Sequence, residues 1–148
     1  MYINKIKLTN FRNYDEQEIE LGPNINIFYG DNAQGKTNII ESIFLCSIGK
    51  SFRTNKESEL IKFNKDIASA YIEYKKSDRD GKIKIDLNNK KSIYTNGIKI
   101  KKLSELLGNI NTVIFTPDDI NILRDGPQKR RRFLDIMIGQ LRPNYIHL

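Results

Sequence analysis

Gly30, Asp31, Asn32, Ala33, Gln34, Gly35, Lys36 and Thr37 reproduce the spacing G-x-x-x-x-G-K-[ST], a phosphate-binding loop. In that pattern the glycines let the backbone curl until its N–H groups converge on a phosphate. The lysine reaches the outer phosphates, and the final hydroxyl binds Mg²⁺. These eight residues are the candidate nucleotide-binding set, with Thr37 as the metal ligand through its hydroxyl. No residue of the chain is given a catalytic role. The flanks decide whether the motif is real. Residues 24–29, Asn-Ile-Asn-Ile-Phe-Tyr, read as a strand running into the loop. Residues 38–48 read as a helix with Ile39, Ile40, Ile43, Phe44 and Leu45 on its apolar side, closed by Gly49. A strand, a glycine loop and a helix N-terminus place the phosphate at the positive end of a helix dipole. The chemistry implied is the holding of ATP or GTP.

Two further clusters are chemically suggestive. An apolar run at residues 112–115 leads to Thr116-Pro117-Asp118-Asp119, which invites comparison with a strand ending in a magnesium-binding acid. Pro117 interrupts that pattern. A threonine N-cap, a proline at the first helical position and acids in the first turn spell a helix start instead. A second helix starts at Gly126-Pro127 and carries Lys129, Arg130, Arg131 and Arg132 in its first turns. Phe133, Leu134, Met137 and Leu141 follow at core spacing. A cation at a helix N-terminus costs about 0.3–1 kcal/mol without an anionic partner. The only nearby acids are Asp125 and Asp135. A phosphate, a DNA backbone or a buried carboxylate is the expected partner.

The rest of the chain supplies the frame. Its 148 residues suffice for one domain with its own core. Strands are expected over residues 1–9 and 17–21 before the loop. After it an antiparallel meander is expected over 68–75, 82–87, 92–95 and 98–101, with turns at Asp80-Gly81, Asn88-Asn89 and Asn96-Gly97. A short helix at 102–107 ends at Gly108. The single cysteine, Cys46, reads as a small core residue, and the lone His147 has no metal-ligand companions. Together with the lack of a leader-like or membrane-length apolar stretch, these predict a cytoplasmic protein away from membranes. The net charge of +7 favours polyanions, nucleic acid first. Base-reading by a GTPase is excluded by its failed motifs: Asn64-Lys65-Asp66 is followed by Ile67, and Asp78 to Gly81 falls in a polar turn. A small kinase would not carry two strands ahead of the one entering the loop.

Taken together these pieces resemble the RecF family, the ABC/SMC-like recombination mediators of bacteria. The resemblance is carried by Asn10-Phe11-Arg12-Asn13-Tyr14, by the loop with Asn32 and Asn38, and by Thr95-Asn96-Gly97 followed by Leu103-Ser104-Glu105-Leu106. Pro117-Asp118 leading through Ile122-Leu123 to Pro127-x-x-Arg130-Arg131-Arg132-Phe133-Leu134-Asp135 is its most specific part. Asp125 departs from the family pattern, which has glycine there. The resemblance implies an α/β P-loop NTPase with the head of an ABC-type ATPase. Residues 1–116 would be lobe I, a mixed sheet with an antiparallel meander around the loop's helix, and 117–148 the start of a helical lobe II.

It further implies ATP and Mg²⁺ as cofactors and an ATP-dependent homodimer on DNA, single- or double-stranded, at gap junctions. RecR and RecO-like mediators would be partners, in RecA loading, repair, replication restart and the SOS response. DNA binding would be electrostatic, weakening steeply with salt. Arg12 is implied on the phosphate side, and Arg130 and Arg131 in DNA contact or structural ion pairs. Family members are longer, so the Walker B acids, the ABC signature and the arm are expected beyond Leu148, the chain being a fragment. Two alternatives stay open: the head of another SMC- or Rad50-like protein, and a piece that binds ATP and DNA without hydrolysis.

Overall fold

The computed structural model describes residues 1–77, 79–117, 119, 126–142 and 145, with Lys129 described in its backbone alone. Asp78, Asp118, Ile122, Leu123, Asp125 and His147, on which sequence expectations fall, lie outside the described residues.

Alternation of apolar and polar side chains builds the main layer. Strands β1 (Tyr2–Thr9), β2 (Glu16–Glu20), β3 (Ala68–Lys76), β4 (Arg79–Leu87), β5 (Ser92–Thr95) and β6 (Ile98–Lys99) form one sheet in the order β2-β1-β3-β4-β5-β6. Every ladder in it is antiparallel. β1 and β3 pair in the middle, so the meander after the loop and the strands before it make a single sheet. Its inner face presents Ile6, Leu8, Ala70, Ile72, Ile83, Ile85 and Leu87, all buried. Its outer face is charged, with Lys5 and Lys7 on Glu18 at 2.5 and 2.6 Å and Lys84 on Asp86 at 3.0 Å. The two lysines hold the Glu18 carboxyl below its usual range.

Helix α1 (Lys36–Ile48) lies on the inner face and buries Ile39, Leu45 and Cys46 there. Burial pushes the Cys46 thiol up, as suits a core residue. Gly49 ends the helix in the left-handed region (φ 78°), and its N–H donates to the Leu45 carbonyl at 2.7 Å. Asn96 (φ 51°) and Gly97 (φ 82°) make the expected two-residue hairpin turn. A 3₁₀ turn (Leu103–Glu105) precedes Gly108.

Three expectations about strands and turns are corrected. Residues 24–29 join no strand: Ile25, Ile27 and Tyr29 are exposed, the last two at 77% and 91%. Residues 112–115 likewise join no strand, with Val113 92% and Phe115 79% exposed. β-rich composition favours a strand, but a strand also needs neighbours to take its backbone hydrogen bonds. Among the described residues neither segment has a strand beside it. Gly81 is not a turn residue but part of β4, opposite Tyr74. A Cβ there would lie 2.2 Å from the Tyr74 ring, so the glycine clears space for the aromatic.

Helix α2 (Pro127–Leu141) starts at Gly126-Pro127 as expected. Its packed side is not the expected one. Phe133, Leu134, Met137 and Leu141 are exposed, whereas Ile136 packs on the cluster of Phe44, Ile48 and Leu107. Gln140 is buried and clamps the backbone of Thr112, accepting from its N–H (2.6 Å) and donating to its carbonyl (3.1 Å).

Candidate nucleotide-binding site

Residues 30–37 form the loop, and its backbone explains the glycines. Gly30 and Gly35 have φ of 139° and 99°, and Ala33 sits in the left-handed region at 64°. A helix N-terminus exposes N–H groups that need an acceptor. No side chain caps α1, and no acid lies in its first turn to compete for an anion. Lys36 folds back over the loop and donates to the carbonyls of Gly30 (2.7 Å) and Asp31 (2.5 Å). Thr37 is exposed at the helix start. The arrangement is a curled cradle at the positive end of the α1 dipole, with Lys36 beside it and N–H donors available, which is what an oligophosphate requires.

The turn at residues 11–14 braces that cradle from beside Gly35. A Cβ on Gly35 would come within 2.6 Å of the Tyr14 hydroxyl and 2.8 Å of Asn13 Oδ1, so only glycine allows this approach. The Tyr14 hydroxyl donates to the Gln34 carbonyl at 3.4 Å, and burial raises its pKa. Asn38 Nδ2 donates to Asn13 Oδ1 at 2.8 Å.

Arg12 directs its side-chain hydrogen bonds to Glu41 and Glu59 rather than to residues 30–37. Its Nε and Nη2 donate to the two oxygens of Glu41 at 2.9 and 2.7 Å, and its Nη1 to the Glu59 carbonyl at 2.8 Å. Glu41, on α1, is completely buried and also accepts from Ser51 Oγ (2.5 Å) and Arg53 Nη1 (3.1 Å). The same Arg53 nitrogen reaches Asn38 Oδ1 at 2.7 Å. Sequence inspection passed over Glu41 and Arg53. The available signal was an acid within an otherwise apolar helical run, which must find cations when buried.

A cleft of 1720 Å³ opens between α1, residues 112–117 and α2, lined among others by Lys36, Thr37, Arg53, Arg132 and Asp135. Arg132 reaches toward the residues after α1, its Nη2 lying 3.4 Å from Asn55 Oδ1. Arg130 and Arg131 are exposed on α2 and are not among the residues lining that cleft. Asp119 also borders the cleft, but its Oδ2 accepts from the Thr116 N–H (2.6 Å) and hydroxyl (2.8 Å), the role of an acid in a helix start. Among the described residues no cluster of three or more His, Cys, Asp or Glu could hold a metal.

The profile of the family described as AAA domain matches residues 5–144, nearly the whole chain. The chain belongs to the AAA domain family. Within this AAA domain the loop at 30–37 occupies the start of α1, as its chemistry requires. The DNA replication and repair protein RecF of Clostridium botulinum (strain ATCC 19397 / Type A) is 52% identical over 149 residues, covering 99% of this chain and 41% of that protein. RecF of Alkaliphilus oremlandii is 46% identical over the same shares. The chain thus spans about two-fifths of the length of the curated relatives it matches. The structure of the recombination mediator protein RecF with ATP in the RecFOR pathway superposes with a TM-score of 0.92. It is 41% identical, over 97% of this chain and 39% of that one. An SMC ATPase superposes with a TM-score of 0.73 at 22% identity over 93% of this chain and 99% of that one, a likeness of fold alone. The AAA domain therefore has the fold of an ABC-type, RecF-like head.

Proposed function

We propose that this chain is the ATP-holding head of a RecF-like protein of recombinational repair and replication restart. The observation that carries the reading is the loop: left-handed Gly30, Ala33 and Gly35 curl it onto an uncapped helix N-terminus beside Lys36. ATP fits such a site through its phosphates. The backbone of residues 30–37 would cradle them, Lys36 would pair with their charge, and the Thr37 hydroxyl would hold Mg²⁺. Bound Mg²⁺ would offset phosphate charge.

Support for the wider role comes from the relatives, described as DNA replication and repair proteins, and from the RecF structure with ATP. On this reading residues 1–116 are lobe I and 117–148 begin lobe II. ATP clamps a homodimer on DNA at gaps, RecO- and RecR-like mediators join it, and RecA loading and the SOS response follow. The net charge of +7 suits DNA, with Arg130 and Arg131 exposed for contact or ion pairing. Arg12 serves the phosphate side by anchoring the turn beside the loop. The protein works in the cytoplasm, and no described helix is long and apolar enough to cross a membrane. Binding without hydrolysis by these 148 residues is the second reading, favoured by the commitment of Asp119 to Thr116.

Calorimetric titration of the chain with MgATP tests the proposal. Saturable binding is expected in the native sequence and its loss in Lys36→Ala, with circular dichroism showing both folded. Unchanged affinity in the folded Lys36→Ala variant would remove the loop from nucleotide binding.

A further inference from the structure

We infer that Glu41 is a positioning residue for the nucleotide loop, gathering Arg12 and Arg53 on one buried carboxylate so that the turn at 11–14 and Asn38 hold the loop in its curl. The inference rests on the ATP-binding reading above and deepens it.

Three segments distant in sequence meet at this side chain. Arg12 belongs to the turn after β1, Glu41 to α1, and Ser51 and Arg53 to the residues following α1. Glu41 lies one helical turn beyond Thr37. Arg12 adopts a left-handed backbone (φ 54°), a conformation a non-glycine residue keeps only when its surroundings impose it. Its N–H donates to the Leu60 carbonyl at 2.8 Å, and its guanidinium adds two bonds to Glu41 and one to the Glu59 carbonyl, so main chain and side chain hold it together. The turn so fixed is the one that presses Asn13 and Tyr14 against Gly35. On the other side Arg53 ties Glu41 to Asn38, which sits next to Thr37 and returns to Asn13. The contacts therefore close a ring, Glu41–Arg12–Asn13–Asn38–Arg53–Glu41, under the loop and the first turn of its helix.

The charges point the same way. A buried carboxylate needs one cation for neutrality, and this one has two within hydrogen-bond reach. The cluster keeps one net positive charge beside a cradle built for an anion. Removing the carboxylate charge has opposite consequences under two accounts. If the cluster acted only through its field, Glu41→Gln would add positive charge and tighten anion binding. If it acts by positioning, the same change puts an NH2 donor in place of one acceptor oxygen, so that Arg12 loses its bidentate grip as a guanidinium nitrogen meets a donor, and binding weakens.

The test is the dissociation constant of MgATP for the full chain, read with its thermal midpoint. Glu41→Gln is expected to bind about tenfold more weakly, as for a lost hydrogen bond to a charged group. Ile83→Val, in the sheet core outside the ring, is expected to lower the midpoint and leave affinity within about twofold. Ser51→Ala removes one bond to the carboxylate without changing charge. It is expected to weaken ATP about threefold, and it decides the matter should Glu41→Gln not fold. Wild-type or tighter affinity in folded Glu41→Gln, or in Ser51→Ala where Glu41→Gln does not fold, overturns the inference alone, provided that Lys36→Ala abolishes binding. Absence of ATP binding in the native chain overturns the proposed function and this inference with it.

Discussion

Removing Arg12 should expose how much of the fold depends on one buried carboxylate. Glu41 has no exposed side-chain surface, and the Arg12 side chain is 17% exposed. Arg12→Ala deletes two of the four donors to Glu41 and the bond to the Glu59 carbonyl. Breaking a buried ion pair by losing one partner costs about 3–5 kcal/mol. Ser51 and Arg53 remain on Glu41, which argues for the lower end, about 3 kcal/mol. For a chain of this length that corresponds to a fall in Tm of about 10 °C. The double variant Arg12→Met with Glu41→Leu removes both charges and fills the space. It should recover to within about 1 kcal/mol of the native chain, because Arg53 is already at the surface and can turn to water. Urea denaturation of the two variants and the native chain measures this. A loss under about 1 kcal/mol in Arg12→Ala, or a double variant less stable than the single one, would refute the account of Glu41 as a buried anion needing its cations.

Other consequences are open to measurement. Gly81→Ala puts a methyl group where the Tyr74 ring lies, so it should destabilise by about 1–3 kcal/mol. The loss should shrink in a Tyr74→Leu background, and an equal loss in both would mean that the ring is not the cause. The Tyr71 hydroxyl is pushed up to about 12 by burial and by its hydrogen bond to Glu73 at 2.6 Å. The folded chain then holds a proton that the unfolded chain gives up near pH 10. The contribution is complete below about pH 10 and is lost as the pH rises toward 12. Tyr71→Phe should flatten that part of the stability profile and remove a late step from the tyrosinate absorbance titration. An unchanged titration would count against the shift.

Much of the candidate site's backbone was legible because it depends on local chemistry. The spacing from Gly30 to Thr37 carries its own backbone requirement, and the structure has left-handed φ at Gly30, Ala33 and Gly35. Helix α1, closed by Gly49, and the Asn96-Gly97 hairpin follow from short-range rules that need no distant partner. The alternation in β1, β3 and β4 likewise announced which side chains would form the core.

What the sequence by itself determined was therefore the loop, the helix it opens and the strands whose alternation requires a buried face. Tertiary structure alone decided which apolar runs would find neighbours. Residues 24–29 and 112–115 have the composition of strands, yet a ladder is made by two segments, and neither has a strand beside it among the described residues. The apolar stripe of α2 fixed a helix but not the direction it faces, which came from Ile136 and Gln140 meeting Phe44, Ile48 and Thr112. Gly81 could be placed only once Tyr74 lay opposite it. Glu41 needed Arg12, 29 residues away, and Arg53, 12 residues away, before its burial made sense. Local conformational preferences are written residue by residue, whereas the satisfaction of a buried charge or a strand edge belongs to pairs that only the fold brings together.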